Sequence, residues 1–309
     1  MNDNILHLSD SVSSTEVKQI LDRSHGRTFR TEILAGHTDS LYRDAKGRSQ
    51  LGELVIKPQK NKIVLGGMVY FLEQALGVKP HLYTVPTLNE LYEIGRDPYV
   101  EVVEQNKICL FNVGLGGCGA SYAEVNKVLD QQFVVGNMIP FRVVNEGANV
   151  SSVNQGGPYW FKKTNTTTVN NISLTKDWYY LKQFDTDSDT GESNVRIFSF
   201  WRDEEIGVDG TDVTNESLEK GATREEGIET CAEIIMSITP TDLREYFEIY
   251  QNTAEARFNS IGLCSGTKCM YADGSYEYTD VRQNTVLNFS NEMLHFEKGL
   301  TIIYRIYLS

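Results

Sequence analysis

The feature that most constrains the fold is a change of texture near residue 159. From there the chain reads Tyr159-Trp-Phe161, then Trp178-Tyr-Tyr-Leu181, then Val195-Arg-Ile-Phe-Ser-Phe-Trp201, each run rich in aromatic and β-branched residues and separated from the next by polar turns. Such runs fit a pleated, half-buried surface and predict an antiparallel β region. Glu233–Ile238, Phe258–Cys264, Val286–Phe289 and Leu300–Leu308 continue the pattern. Helical segments do not alternate with strands regularly enough for a doubly wound parallel sheet. The expected fold class is therefore α+β: an antiparallel β-sandwich or half-open barrel with peripheral helices.

The first half is more mixed. Ser13 and Glu16 make a capping box ahead of Val17, Ile20 and Leu21, with Gly26 at the C-cap position, which predicts a helix in the first 30 residues. Ala35–Gly52 reads as a polar, glycine-containing segment. Leu54–Ile56 and Lys62–Leu65 read as short strands around a turn at Pro58–Asn61. A helix follows over Gly67–Leu76 and stops at Gly77; Thr87 with Glu90 caps a short one ending near Gly95. Lys107–Val113 reads as a strand, Ser121–Gln131 as a helix and Met138–Val144 as a strand. Glycine, asparagine and serine concentrate in Asn145–Pro158, which suggests a soft division into a mixed part, 1–150, and a β-rich part, 151–309.

In the second part, Asp203–Glu229 reads as an acidic loop too polar for a core. Thr239 is expected to cap a helix with Pro240 in its first turn, Asp242 near its positive end, and Leu243, Tyr246, Phe247 and Tyr250 along one stripe.

Composition narrows the class. Forty per cent hydrophobic residues suffice for a core, and 42 acidic against 29 basic side chains give a net charge of −13. That balance repels phosphate backbones, which predicts no sequence-specific nucleic acid among the partners. No stretch approaches the roughly 18 apolar residues of a membrane helix, and the opening residues lack a basic and apolar leader, so no membrane association and a cytoplasmic site of synthesis are expected. Five dispersed cysteines, Cys109, Cys118, Cys231, Cys264 and Cys269, fit reduced thiols better than a disulfide framework.

Three local patterns carry possible chemistry. Gly114-Leu-Gly116-Gly-Cys-Gly119 has dinucleotide-fingerprint spacing between a predicted strand and a predicted helix, where a pyrophosphate would rest on the helix N-terminus. An acidic ribose ligand should follow roughly 20 residues on, but Ile139-Pro-Phe-Arg-Val-Val144 stands there, and the glycines equally suit a tight turn. Cys118 at that turn is a nucleophile without a visible base. Asp185, Asp187 and Asp189 resemble a calcium loop, yet Thr190 and Arg196 occupy positions that an EF-hand gives to glycine and glutamate; a solvated hairpin turn between strands ending at Phe184 and starting at Val195 accounts for them. Cys264 and Cys269 have no nearby cysteine or histidine pair to complete a zinc site. His7, His25, His37, His81 and His295 show no ligand spacing. The reading is of no catalytic residues, no cofactor and no metal, hence not an enzyme. Its rivals are a cytoplasmic nucleotide-binding enzyme built on Gly114–Gly119 and a secreted calcium-binding adhesion domain using Asp185–Asp189.

Several phrases carry a resemblance: Phe258-Asn-Ser-Ile-Gly-Leu-Cys264, Tyr278-Thr-Asp-Val-Arg282, Leu287-Asn-Phe-Ser-Asn-Glu292, Lys298-Gly-Leu-Thr-Ile-Ile-Tyr-Arg-Ile-Tyr307, and earlier Asn61–Glu73 and Ile139–Val144. They cover about a third of the chain, and it resembles the virion structural proteins of large contractile-tailed bacteriophages. That resemblance implies a head or neck component, a head–tail connector or collar protein, with a tail or capsid-decoration protein as the alternative. It further implies a chain made in the host cytoplasm and carried in the virion. The implied partners are copies of itself in a ring or vertex assembly and other virion proteins of the portal, neck, tail or capsid. The strand Leu300–Leu308 either adds to a neighbour's sheet edge or completes its own sheet.

Overall fold

The computed structural model describes residues 29–44, 48–77, 85–94, 98–119, 124–148, 158–184, 194–203, 208–212, 228–250, 256–293 and 298–308 of the 309-residue chain. The helix expected around Ser13–Gly26 lies outside them. The chain is α+β with open, antiparallel sheets and few helices, as the sequence predicts.

Eight strands form the larger sheet: β5 (Lys62–Ile63), β6 (Glu101–Gly114), β7 (Met138–Ile139), β8 (Arg142–Asn145), β9 (Tyr159–Val169), β10 (Ile172–Gln183), β14 (Arg257–Met270) and β15 (Tyr276–Met293). The order is β5-β15-β14-β6-β10-β8, with β7 on β6 and β9 on β10. Strands from both sides of residue 150 interleave here. A second sheet runs β12 (Val208–Asp212), β11 (Val195–Asp203), β13 (Ile228–Ile238), β16 (Leu300–Leu308), β1 (Phe29–His37) and β4 (Leu54–Gln59); β2 (Leu41–Arg43) and β3 (Ser49–Leu51) pair separately. Packing divides the chain into two units, one of residues 1–31, 197–232 and 305–309, the other of 32–196 and 233–304.

In the larger unit, long β14 and β15 pair from Arg257↔Met293 to Met270↔Tyr276, and β14 pairs with β6 from Ser260↔Gly114 to Met270↔Glu101. Their apolar side chains close a core of Leu88, Cys109, Leu110, Trp160, Phe161, Leu181, Cys264, Tyr278 and Val281. The ring of Trp160 meets Tyr278 edge-on at 5.0 Å, a geometry that aromatic quadrupoles favour. In the smaller unit Phe200, Cys231 and Tyr307 form a cluster, and Arg30 lies 3.9 Å over the Tyr307 ring while pairing with Glu229.

Helix α1 (Leu65–Leu76) covers β15 where Gly66 and Gly67 let it approach, since a Cβ on either would lie within 2.2 Å of the Gln283 or Asn284 carbonyl oxygen. It ends, as expected, at Gly77 in the left-handed region. Thr87 precedes a 3-10 turn, Leu88–Leu91, without a side-chain cap bond. The expected strands at 54–56 and 62–65 are present but belong to different sheets, β4 against β1 and β5 against β15.

Several expectations are corrected. Part of the segment expected to be polar, Ala35–His37, lies in β1, where Ala35 is fully buried between neighbouring strands. Residues 124–131 are not helical; Asn126 ties them to the glycine turn instead, its N–H donating to Gly117 O and its Nδ2 to Gly116 O. Met138–Val144 is two strands, broken at Pro140 where Phe141 N–H turns to Tyr179 O. The supposed loop 203–229 contains β12 and the start of β13; 213–227 lie outside the described residues. The helix after β13 starts later than Thr239: α2 spans Arg244–Ile249, and Leu243, at φ 64, precedes it. Strands β10 and β11, expected to flank a hairpin turn, occupy different sheets, and the residues between them, 185–193, lie outside the described residues. Strand β16 pairs on both sides, with β13 and β1, and completes its own sheet.

Candidate interaction site

The glycine fingerprint is a packing device. At the end of β6 the chain turns through Leu115–Gly117, and Cys118 bridges to Val125. A Cβ on Gly116 would lie 2.4 Å from the Gly136 Cα, and one on Gly117 would lie 1.8 Å from the Asn259 carbonyl oxygen. The amides a phosphate would need are occupied: Leu115 N–H donates to Asn137 O, Gly116 N–H to Gly136 O, and Gly117 N–H to Asn259 Oδ1 at 2.7 Å. With protein backbone against the glycine faces and no helix over 124–131, the turn lacks both parts of a dinucleotide cradle. Cys118 is buried, and its thiol donates to Phe289 O at 3.1 Å, a structural contact at a site without the activating helix.

The other sequence candidates are not gathered together. Asp185, Asp187 and Asp189 lie outside the described residues. All five cysteines are buried. Cys264 and Cys269 share β14, and burial, with Cys109 beside it, pushes the Cys264 thiol well above its ordinary range. Of the histidines, His37 is described, at the end of β1, where its carbonyl accepts the Ser40 hydroxyl. Among the described residues no three His, Cys, Asp or Glu side chains stand close enough to hold a metal, and no helix is long and apolar enough to cross a membrane.

What the sequence did not reveal is a buried ionic network in the larger unit. Lys182, near the end of β10, donates from Nζ to Asp242 Oδ2 at 2.6 Å and to Ser237 O at 2.8 Å. Asp242 also accepts the Tyr159 hydroxyl at 2.6 Å and Thr239 N–H at 2.7 Å. Arg142 pairs with Glu245 at 2.9 Å beside it. Burial first, then the Asp242 charge, pushes the Tyr159 phenol up. Every polar partner here is spent on another protein group, so the network anchors the turn before α2 to the sheet. The one signal in the sequence was Lys182 directly after the apolar run Trp178–Leu181. A second buried set joins Asn112 Nδ2 to Gln283 Oε1 at 2.8 Å, with Gln283 Nε2 donating to Leu263 O and Thr285 O. Arg282, only 1% exposed, pairs with Glu73 of α1 at 3.1 Å.

The surface of this unit is less settled than its interior. Met68, Leu72 and Leu76 stand exposed at four-residue intervals along α1, an apolar stripe on the face turned away from the sheet. Leu129, 51% exposed, lies beside Asp130, whose carbonyl accepts Leu65 N–H at the start of that helix. Tyr99, Val100 and Val103 are exposed at the start of β6. Strand β9 and β10 project beyond their neighbours: β8 pairs with β10 only over Lys176–Tyr179, whereas β9 follows β10 out to Val169↔Ile172. The arm Asn165–Thr175 is thus a two-stranded ribbon, closed by Asn170 and Asn171 at φ 50 and 65, the pattern of a type I′ turn. Exposed large apolar side chains and unpaired strand edges are features that partners cover.

No protein-family model matches the chain, and neither a curated protein nor a solved structure matches it.

Proposed function

We propose that this chain is a structural component of a tailed-phage virion, at the head–tail neck as a connector or collar protein, working through subunit contacts and not through catalysis. The resemblance of its C-terminal phrases to virion proteins of large contractile-tailed phages suggests the setting, and the surface of the larger unit supports the mode of action. The observation that carries the reading is the exposed apolar stripe Met68, Leu72 and Leu76 together with a two-stranded arm on the same unit. Isolated ribbons are marginal in water, and apolar stripes are unfavourable there. Both gain from burial against another subunit, where aromatic and apolar anchors dominate binding. The net charge of −13 keeps the free chain soluble before assembly.

The partners are copies of the chain in a ring or at a vertex, and portal, neck, tail or capsid proteins. Mass spectrometry of purified virions from the source tests the reading: the chain is expected in stoichiometric amounts in intact particles. Its absence from particles, or thermal stabilisation of the free chain by nucleotide or calcium, would overturn it. A position in the tail or on the capsid surface would show as co-purification with those substructures after particle disruption.

A further inference from the structure

Helix α1 turns its polar side inward. Gly66, Gly67 and Tyr70 are buried against the sheet, and the Glu73 carboxylate reaches Arg282 beneath the helix. Met68, Leu72 and Leu76 instead stand 41%, 63% and 71% exposed, with Ala75 exposed beside them. A surface helix ordinarily aims such a stripe at the core. Glu73 is the only charged residue in Leu65–Leu76, and its side chain is 13% exposed. The outward face of α1 therefore carries no charge.

Charge and spacing together select what can cover that face. In a chain of net charge −13, a contact between two copies tends to set carboxylate against carboxylate. A two-fold contact sharpens the problem, because each charge near the axis meets its own image. The α1 stripe escapes it. Met68, Leu72 and Leu76 also form one i, i+4, i+8 ridge, the row that interdigitates in the commonest class of helix packing. The ridge is symmetric about Leu72. A second α1 laid across it in the opposite sense sets Leu72 against Leu72 of the other copy and Met68 against Leu76, apolar side chains of similar volume. Opposed helix dipoles favour the same arrangement.

We propose that α1 is a contact between two copies of this chain, packed antiparallel about a two-fold axis at Leu72. The Glu73–Arg282 pair fixes the roll of the helix, so the ridge is presented without rearrangement. The contact is closed: it joins copies in twos and does not propagate from copy to copy. A helix of 12 residues is roughly 18 Å long and about 10 Å across. Such a face is smaller than the roughly 800 Å² that each partner buries in a standard interface. The pair should therefore dissociate on dilution, with other surfaces completing any larger assembly. The inference rests on the assembly reading above and names the partner and contact for it.

Sedimentation of the full chain at concentrations reaching the millimolar range is the test, comparing Leu72→Glu, Leu72→Lys and their equimolar mixture. Position 72 is exposed and both replacements are good helix formers, so each variant is expected to fold, which far-UV circular dichroism and urea unfolding check. Each variant alone sets like charges together across the axis and should weaken self-association roughly tenfold or more. The mixture should recover it, since glutamate then meets lysine. Recovery on mixing reports a residue that faces its own counterpart. Ile172→Glu, which puts an added charge on the exposed arm, should leave association unchanged. Association that neither Leu72 variant weakens, no recovery in the mixture, an equal loss in Ile172→Glu, or a chain monomeric throughout would overturn the α1 pair. Detection of the chain in virions alongside a failed mixture would leave the virion reading standing and remove only this contact. A working mixture of chains absent from virions would do the reverse.

Discussion

Asp242→Ala is the substitution whose cost the structure fixes best. The carboxylate is fully buried and accepts three donors, from Tyr159, Lys182 and Thr239, at 2.6 to 2.7 Å. Truncation leaves the Lys182 ammonium, 7% exposed, with the Ser237 carbonyl as its remaining bond here. Removing one partner of a buried ion pair costs about 3–5 kcal/mol, because the other charge stays desolvated. The orphaned phenol and amide would each add about 1 kcal/mol or more if nothing relaxed, but neighbouring losses do not add in full. We therefore expect about 4 kcal/mol, a large part of the roughly 5–15 kcal/mol that a folded domain has in total. Urea unfolding followed by tryptophan fluorescence suits the measurement, since Trp160 and Trp178 are both buried in the same unit. Lys182→Met should cost a similar amount alone, and Lys182→Met with Asp242→Ala should cost at least about 2 kcal/mol less than the sum of the two singles, since no uncompensated charge remains. A loss below about 1 kcal/mol for Asp242→Ala, or simple additivity in the cycle, would show that solvent reaches the pair and refute the argument.

Other expectations follow from local geometry. Gly117→Ala should destabilise by about 1–3 kcal/mol or more, because its Cβ meets the Asn259 backbone, which cannot step aside; Gly147→Ala, at φ 80 with open space around it, should cost only about 1–2 kcal/mol of backbone strain, and thermal unfolding ranks the two. Burial raises the phenols of Tyr92 and Tyr159 and pushes that of Tyr180 up to about 12, against an ordinary value of 10.0. Above pH 10.0 the unfolded chain releases these protons while the folded chain keeps them, so stability should be level below that point and fall as pH rises toward the folded-state values. Tyrosinate absorbance that titrates normally in the folded chain would contradict this. Replacing both Asn170 and Asn171 by alanine strains the I′ turn by roughly 1 kcal/mol or more per residue, so amide exchange in the arm should accelerate at least several-fold while β14 stays protected.

How far the sequence could be read depended on whether the local pattern and the tertiary environment agreed. Strands β14, β15 and β16 were legible because their β-branched and aromatic runs lie in sheets, as the propensities suggest; β16 keeps its expected bounds, whereas the structure extends β14 and β15 beyond their apolar centres. Helix α1 was legible through Gly77, whose left-handed conformation ends it. Val125, Val128 and Leu129 gave residues 121–131 a helical spacing, but Asn126 bonds backbone groups of the glycine turn, a competition that short polar side chains often win. The fingerprint Gly114–Gly119 misled for a related reason. Glycine marks close backbone approach, and spacing alone does not say whether a phosphate or the Asn259 and Gly136 backbone comes close. Lys182 and Asp242 lie 60 residues apart in sequence, so no local pattern joins them. The arm was hidden because its edge character depends on where β8 stops, a property of the assembled sheet.

The interior placement of all five cysteines has a use at the bench. A thiol reagent in solution meets Cys109, Cys118, Cys231, Cys264 and Cys269 only when the strands that enclose them come apart. Labelling rate, read by intact mass, then clocks opening events: Cys231 reports on the smaller unit and the other four on the larger. Captured subunits and free ones can be timed by the same chemistry, without attaching any foreign probe.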